Sequence, residues 1–187
     1  MTNTNTKRKI FYLNDDTTQP VSAAGILIYK ITEDNDMELL ITDSRGNYEE
    51  FGGRVDTDDE TIFETAARET YEESNGLFKM KSLIKRLINA DYVYNARNKY
   101  ITYIVKANKR ESELQSEDFG NKEIHDNIIR RVKWMKLDKF LSDNTKIRLN
   151  YRICNKSLFY KLRKIYNNEL TNIVIINEFS SNDTNSS

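Results

Sequence analysis

The sequence predicts an α/β (α+β) fold, a sandwich in which helices pack against a mixed β-sheet. Short apolar runs typical of buried strands occur before and after a helix-forming segment at 61–75. The segment 157–168 repeats apolar residues at helical spacing, which predicts a C-terminal amphipathic helix. The 187-residue chain is long enough for one domain with a buried core. We therefore expect a single domain at 10–179, between disordered polar tails at 1–9 and 180–187.

The individual elements are predicted from the apolar runs and from the residues that interrupt them. Gly76 indicates the end of the first helix, because glycine readily adopts the backbone conformation that closes a helix. The turn 96–98 separates two extended runs and indicates a hairpin. In chain order we expect strands at 21–31, 37–42 and 48–53, a helix at 61–75, a hairpin of 90–95 and 99–108, a polar loop at 109–122, a strand at 131–137, a short helix beginning at 138, a helix at 157–168 and a last strand at 172–179.

Composition argues against several classes of protein. No apolar run approaches the roughly 18 residues that a membrane-spanning helix needs. The basic start of the chain is not followed by an apolar segment of signal-peptide length, so we expect an intracellular, cytoplasmic protein without membrane partners. The single Cys154 cannot form an internal disulfide, and together with the single His125 it cannot build a zinc site.

The net charge of zero conceals an uneven distribution of charge along the chain. Acidic residues dominate from 31 to 78, whereas basic residues dominate from 120 to 168. The acidic part suits divalent cations, and the basic part suits a polyanion. Ordinary solvated surface charge is the alternative explanation for most of these residues.

A cluster of three carboxylates lies on the predicted helix at 61–75. Because each helical residue turns by about 100°, Glu69, Glu72 and Glu73 fall on one face. Carboxylates this close repel one another, and a hard divalent cation such as Mg²⁺ or Mn²⁺ compensates the repulsion. The alternative to a metal site is that these glutamates are ordinary acidic residues on a solvated helix face. The upstream pair Gly52-Gly53 favours the metal site, since glycine lets the backbone approach a ligand closely.

The segment from Gly53 to Leu77 resembles the signature of the Nudix hydrolase family. That signature reads Gly, five residues, Glu, seven residues, Arg-Glu, an aliphatic residue, one residue, Glu-Glu, one residue, Gly and an aliphatic residue. The matching residues here are Gly53, Glu60, Arg68, Glu69, Glu72, Glu73, Gly76 and Leu77. The likeness extends to the expected strands on either side, over residues 21–142.

Three departures from the signature accompany these matches. Six residues separate Gly53 from Glu60, so either Asp59 or Glu60 fills the early acid position. Two residues separate Glu73 from Gly76, and Thr70 stands at the aliphatic position. Both insertions lie outside the helical core and leave the spacing of the three glutamates intact.

The resemblance implies a Nudix-like α/β/α sandwich and a hydrolase that depends on Mg²⁺ (or Mn²⁺). It would cleave a diphosphate linkage in a nucleoside diphosphate linked to another moiety, so a nucleotide-like diphosphate is the expected partner. The implied metal ligands are Glu69 and Glu73, helped by Glu72 and the carbonyl of Gly53. The resemblance also implies that Arg68 pairs with an early acid, for which we expect Glu60, and so holds the loop to the helix.

The resemblance does not identify which residue acts as the general base. Nudix enzymes often take it from a later loop, and some use a signature glutamate, here Glu72 or Glu73. The loop before the strand at 131–137 offers four candidates, Glu117, Asp118, Glu123 and His125. We favour Glu123 for its distance before that strand, with a solvated loop acid as the alternative.

Two other functions remain open at the level of sequence. An mRNA-decapping or inositol-pyrophosphate hydrolase would use the basic C-terminal third to grip a polyanion. Its candidate residues are Lys146, Arg148, Arg152, Lys156, Lys161, Arg163 and Lys164. A non-catalytic Nudix module that binds nucleotides is the alternative of another class, although such a module need not keep three clustered carboxylates.

Overall fold

The computed structural model describes residues 9–44, 46–124 and 129–183, with side chains up to residue 175. Its strands are β1 (Phe11–Tyr12), β2 (Pro20–Val21), β3 (Ala23–Ile31), β4 (Met37–Ser44), β5 (Asn47–Glu49), β6 (Phe51–Arg54), β7 (Asp91–Asn95), β8 (Tyr100–Lys106) and β9 (Arg130–Lys136). Its helices are α1 (Ile62–Glu73), α2 (Met80–Leu87), α3 (Lys109–Ser112), α4 (Leu137–Phe140), α5 (Asp143–Lys146) and α6 (Lys156–Asp183).

Strand β3 is the centre of a mixed sheet formed by β3 to β9. One edge of β3 pairs in parallel with β8, which forms an antiparallel hairpin with β7. The other edge pairs first with β6 and then with β4, both antiparallel. Strand β4 continues past β3 and pairs with β9 along its length and with β5 at its end. The predicted mixed sheet and the predicted hairpin are confirmed.

Both faces of the sheet are covered by helices. Because side chains alternate along a strand, Ile26 and Ile28 of β3 enter one core with α1 and α2. Leu27 enters a second core on the opposite face, together with Leu158 and Leu162 of α6. The predicted α/β/α sandwich with a C-terminal amphipathic helix is therefore confirmed.

Some predicted elements differ from the structure. The strand expected at 172–179 is wrong, since α6 continues without interruption through this segment. The β-branched run Ile173-Val174-Ile175 favours a strand locally, but an established helix extends at little cost per added residue. Helix α2 was not predicted, although Leu83 and Leu87 are buried at helical spacing. No helix in the described part of the chain is long and apolar enough to cross a membrane.

Candidate functional site

Helix α1 presents its carboxylates by burying the opposite side against the sheet. The hydroxyl of Thr61 caps the helix by accepting a hydrogen bond from the backbone N–H of Glu64 at 3.2 Å. Ala66 and Ala67 are fully buried, and their small side chains let the helix lie close to β3. At the aliphatic position of the signature, the hydroxyl of Thr70 donates to the carbonyl of Ala66 at 2.7 Å. This bond satisfies the polar group and keeps the position compatible with the core.

The glycine turn of β6 contacts the acidic face of α1 at two adjacent residues. The backbone N–H of Gly52 donates to a carboxylate oxygen of Glu73 at 2.9 Å. The carboxylate of Glu69 lies against Gly53, where an added Cβ would come within 2.4 Å of it. A larger residue at position 53 would therefore displace the carboxylate of Glu69 from the turn. The structure brings together three of the residues predicted to bind metal, Gly53, Glu69 and Glu73.

The early acid position is filled by Asp59, and the expected pairing of Arg68 with Glu60 is wrong. The Nε and Nη2 atoms of Arg68 each donate to Asp59 at 3.0 Å. Five residues separate Gly53 from Asp59, the spacing of the signature, whereas Glu60 is the extra residue. Glu60 is exposed, and its backbone N–H donates to the carboxylate of Glu64 at 2.7 Å.

Asp59 is held in its charged form by a set of donors. Burial raises the pKa of this carboxyl, but hydrogen bonds from Arg68, the backbone of Asp56 and Thr65 outweigh burial and bring the pKa below its usual value. The side chain of Asp59 is 5% exposed. The loop before α1 is thus fixed to the helix by a nearly buried, charge-assisted pair.

Arg68 also contacts two of the expected metal ligands. Its Nη1 atom donates to Glu69 at 3.0 Å and to Glu72 at 3.3 Å. Within residues 9–44, 46–124 and 129–183, no three acidic, histidine or cysteine side chains converge closely enough to hold an ion. The guanidinium of Arg68 instead engages one oxygen of each of these two glutamates.

The carboxyl groups at the centre of the site have raised pKa values. Burial raises the pKa of Glu73 well above its usual value, and the charges of Glu123 and Glu69 raise it further, against an opposing effect of Arg152. Burial also raises the pKa of Glu69, with Glu72 adding to it and Arg68 opposing it. Carboxylate oxygens are the donors that hard divalent cations prefer, so Glu69 and Glu73 fit Mg²⁺ or Mn²⁺ in the chemistry of their donor atoms, although Arg68 now occupies part of the acidic face.

We expect the raised pKa of Glu73 to make the metal-free protein less stable as the pH rises. The folded state holds this proton more tightly than the unfolded state, so the contribution is fully present below the unfolded pKa of 4.5. It is lost as the pH rises from there through the folded pKa. Urea denaturation in EDTA over a pH series should show this loss for the wild type and not for Glu73→Gln. Parallel pH profiles for the two proteins would contradict the assignment.

Glu123 belongs to a loop that is attached to the end of α1. Its carboxylate lies 3.5 Å from Nε of Arg130, a side chain with 2% exposure. The side-chain amide of Asn75 donates to the carbonyl of Lys122 at 2.7 Å and also to that of Phe119. Asn75 is one of the two residues between Glu73 and Gly76, and it adopts a left-handed conformation (φ 52°). The insertion that departs from the signature therefore places the loop of Glu123 beside the acidic helix.

The other loop candidates for the base lie elsewhere or outside the described residues. Asp118 accepts a hydrogen bond from the backbone N–H of Gln115 at 2.7 Å and caps a short turn. Glu117 is exposed. The position of His125 lies outside the described residues.

Sequence reasoning missed a buried polar cluster behind the glycine turn. Glu50 is fully buried and accepts a hydrogen bond from the hydroxyl of Tyr100. Arg152, grouped at first with the basic C-terminal third, reaches this cluster, with its Nε atom 3.4 Å from Glu50. The only available signal was the pair Glu49-Glu50 within the strand predicted at 48–53, where alternation sends one of two adjacent side chains inward.

Several basic residues of the C-terminal third are engaged within the molecule. Lys146 pairs with Asp143, Arg148 with Asp43, Arg152 with Glu49 and Lys161 with Asp91. Lys156, Arg163 and Lys164 are exposed. The surface available to a polyanion is therefore smaller than the sequence indicates.

Comparisons with solved structures found several similar proteins. C. elegans Ap4A hydrolase is 21% identical over 78% of this chain and 96% of its own, with a TM-score of 0.45. The Nudix domain of Shewanella oneidensis NrtR, complexed with ADP ribose, is 14% identical over 77% of this chain and 86% of its own, with a TM-score of 0.46. A bifunctional NMN adenylyltransferase/ADP ribose pyrophosphatase from Francisella tularensis, complexed with AMP and a manganese ion, is 18% identical over 81% of this chain and 42% of its own, with a TM-score of 0.44.

The family comparison gives the decisive result. No match was found among curated protein sequences. The family model described as the NUDIX domain matches residues 21–153, more than half of the chain. The match contains the signature segment, the buried cluster and the loop of Glu123. The chain therefore belongs to the Nudix family and is a Nudix-type pyrophosphohydrolase.

Proposed function

We propose that this hydrolase uses Mg²⁺ (or Mn²⁺) to cleave a diphosphate linkage in a nucleoside diphosphate linked to another moiety. The observation that carries the proposal is the contact of the Gly52-Gly53 turn with Glu69 and Glu73. That contact brings the carboxylates of Glu69 and Glu73 beside the Gly52-Gly53 backbone, where the Gly53 carbonyl would be a third oxygen donor. Such a mixed oxygen donor set suits a divalent cation beside a phosphate.

The roles of the individual residues follow from their positions. Glu69 and Glu73, with Glu72 and the Gly53 carbonyl, would hold the metal, and Arg68 keeps the helix joined to the loop at Asp59. A bound divalent cation supplies polarisation of a phosphoryl oxygen and neutralises charge on the leaving phosphate. Because Arg68 engages Glu69 and Glu72, metal binding would compete with these two ion pairs.

Glu123 is our candidate for the general base. Its charge contributes to the raised pKa of Glu73, so the two carboxylates lie within electrostatic reach of each other. The ion pair with Arg130 restrains its carboxylate at the edge of the site. A group in this place would orient water and accept its proton. Glu72 and Glu73 are the alternatives from the helix itself.

A cavity beside the glycine turn is our candidate for the substrate pocket. It has a volume of about 340 Å³ and is lined by Ser22, Ala23, Gly53, Arg54, Asn98, Tyr100, Tyr151 and Arg152. The exposed ring of Tyr151 offers a stacking surface, and Asn98 and Arg54 offer hydrogen-bond donors. These groups suit a nucleoside phosphate whose diphosphate reaches Gly53.

The proposal is tested by measuring Mg²⁺-dependent hydrolysis of nucleotide sugars, dinucleoside polyphosphates, oxidised nucleotides, capped RNA and inositol pyrophosphates. We expect turnover of at least one nucleoside diphosphate derivative, and loss of that turnover in EDTA. Turnover of none of them would contradict the proposal and favour a non-catalytic, nucleotide-binding module.

Capped RNA and inositol pyrophosphates form the second candidate class, supported by the exposed Lys156, Arg163 and Lys164. Binding of a polyanion to such cations releases counterions from the polyanion. This release is less favourable at higher salt concentration, so the polyanion then binds more weakly. The KM for capped RNA should therefore rise steeply with salt concentration if RNA is the substrate. A flat response would exclude a contribution of these residues.

A further inference from the structure

Arg152 contacts the glycine turn at its backbone carbonyl, close to the acidic residues of α1. Its Nη1 atom donates to the carbonyl of Gly52 at 2.7 Å. The N–H of the same residue donates to Glu73 at 2.9 Å. Gly52 is thus contacted at its N–H by Glu73 of α1 and at its carbonyl by an arginine that lies about one hundred residues further along the chain. This double contact determines how the backbone enters Gly53.

The guanidinium of Arg152 is itself held in place by several groups. Its Nη2 atom donates to Glu49 at 2.8 Å, and its Nε atom lies 3.4 Å from Glu50. The guanidinium also lies over the ring of Tyr100, 5.2 Å from the ring centroid. Only 14% of the Arg152 side chain is exposed. The cluster therefore fixes both the position and the direction of the arginine.

Stability alone does not account for this cluster. Within the described part of the chain, one oxygen of Glu50 and the Nε of Arg152 are buried without a hydrogen bond. Burying such groups is costly, and well-packed apolar side chains often stabilise a protein at least as well as a buried ion pair. A buried polar group with incomplete hydrogen bonding calls for an explanation, and a role in positioning the adjacent turn is one.

We propose that Arg152 is a positioning residue for the metal-dependent reaction. Acting through the carbonyl of Gly52, it sets the direction of the Gly52-Gly53 turn and thereby the positions of the Gly53 carbonyl and the Glu73 carboxylate. The inference rests on the metal-dependent hydrolysis proposed above. Mutation of a residue that orients metal ligands typically lowers metal affinity or activity by roughly 10–100-fold.

The test uses two substitutions of Arg152 in the full chain. Arg152→Met removes the contact with Gly52, and we expect the Mg²⁺ concentration for half-maximal activity to rise by roughly 10–100-fold. Arg152→Lys keeps a cation beside Glu50, so we expect this variant to fold, but a single ammonium cannot reproduce the fork of contacts. We expect an intermediate increase for it, and it decides the result if Arg152→Met does not fold.

A second readout requires no turnover. Titration with MgCl₂ should raise the Tm of the wild type at lower concentrations than it raises the Tm of either variant, because a ligand stabilises the state that binds it. The matched control is Arg86→Met. Arg86 also joins a carboxylate, that of Glu111, to a backbone carbonyl, that of Lys106, but it lies on α2. We expect this control to be destabilised with an unchanged response to Mg²⁺.

The outcomes separate this inference from the proposed function. An active wild type whose Mg²⁺ dependence is unaltered in both Arg152 variants would overturn the inference alone. A rise only in the KM for substrate, at saturating Mg²⁺, would also overturn it, because Arg152 would then contact the substrate. If the wild type hydrolyses none of the substrates, the proposed function fails, and the shifted Tm response to MgCl₂ still decides the role of Arg152.

Discussion

Glu73→Gln is expected to lower kcat by roughly 10²–10⁴-fold, the range typical for loss of a group that takes part directly in catalysis. The amide keeps the size of the side chain and can still accept the hydrogen bond from Gly52. It removes the negative charge that a divalent cation needs at this position. Steady-state kinetics at saturating substrate, with circular dichroism to verify folding, measures the effect.

The same substitution should stabilise the metal-free protein at neutral pH. Glu73 lies near Glu69 and Glu123, and the charge on its poorly solvated carboxylate is therefore costly. The matched control is Glu64→Gln, which changes a glutamate of the first turn of the same helix. Its activity should equal that of the wild type. An active Glu73→Gln enzyme, or an inactive Glu64→Gln enzyme, would contradict the assignment of the site.

Asp59→Asn is expected to lower the free energy of unfolding by about 3 kcal/mol, as when one partner of a buried ion pair is removed. The substitution leaves Arg68 without its two-oxygen partner in a place where Asp59 is 5% exposed. Activity should fall as well, because Arg68 is then free to bind Glu69 and Glu72 more tightly. Urea denaturation at pH 7 measures the loss of stability.

The adjacent acid provides the control for this experiment. Glu60→Gln changes an exposed side chain and should alter stability by less than about 0.5 kcal/mol.

The lowered pKa of Asp59 allows a second test, which follows the free energy of unfolding as a function of pH. Its stabilising contribution is present above the unfolded pKa of 3.8 and is lost as the pH falls through the folded pKa. Equal effects of the two substitutions would show that the early acid position is not occupied by Asp59.

Most of the fold follows from local patterns in the sequence. The mixed sheet, the hairpin and α1 were predictable because strands buried on both faces appear as short continuous apolar runs, whereas a helix packed on one face repeats its apolar residues about every 3.6 positions. The extent of α6 was not predictable, since the run Ile173-Val174-Ile175 favours a strand by composition alone. Whether such a run pairs depends on the edges that the rest of the sheet leaves open, and that is a property of the tertiary structure.

The candidate site likewise contains residues that local sequence predicts and residues that only the tertiary structure brings together. Glu69, Glu72 and Glu73 lie within one helical turn, so their proximity is local and predictable. The choice between Asp59 and Glu60 depends on the path of a loop, which spacing alone does not determine. Arg152 comes from the far end of the domain, and no local pattern connects it to Gly52.

Asn75 has a consequence for how this protein can change during evolution. Its side-chain amide joins the loop of Glu123 to the end of α1 at Lys122, and the backbone N–H of Ile124 adds a contact with the carbonyl of Glu72, so local bonds set the separation of these two segments. We therefore expect the surface turns between residues 76 and 119, including the tip of the β7–β8 hairpin, to tolerate changes in length without altering that separation.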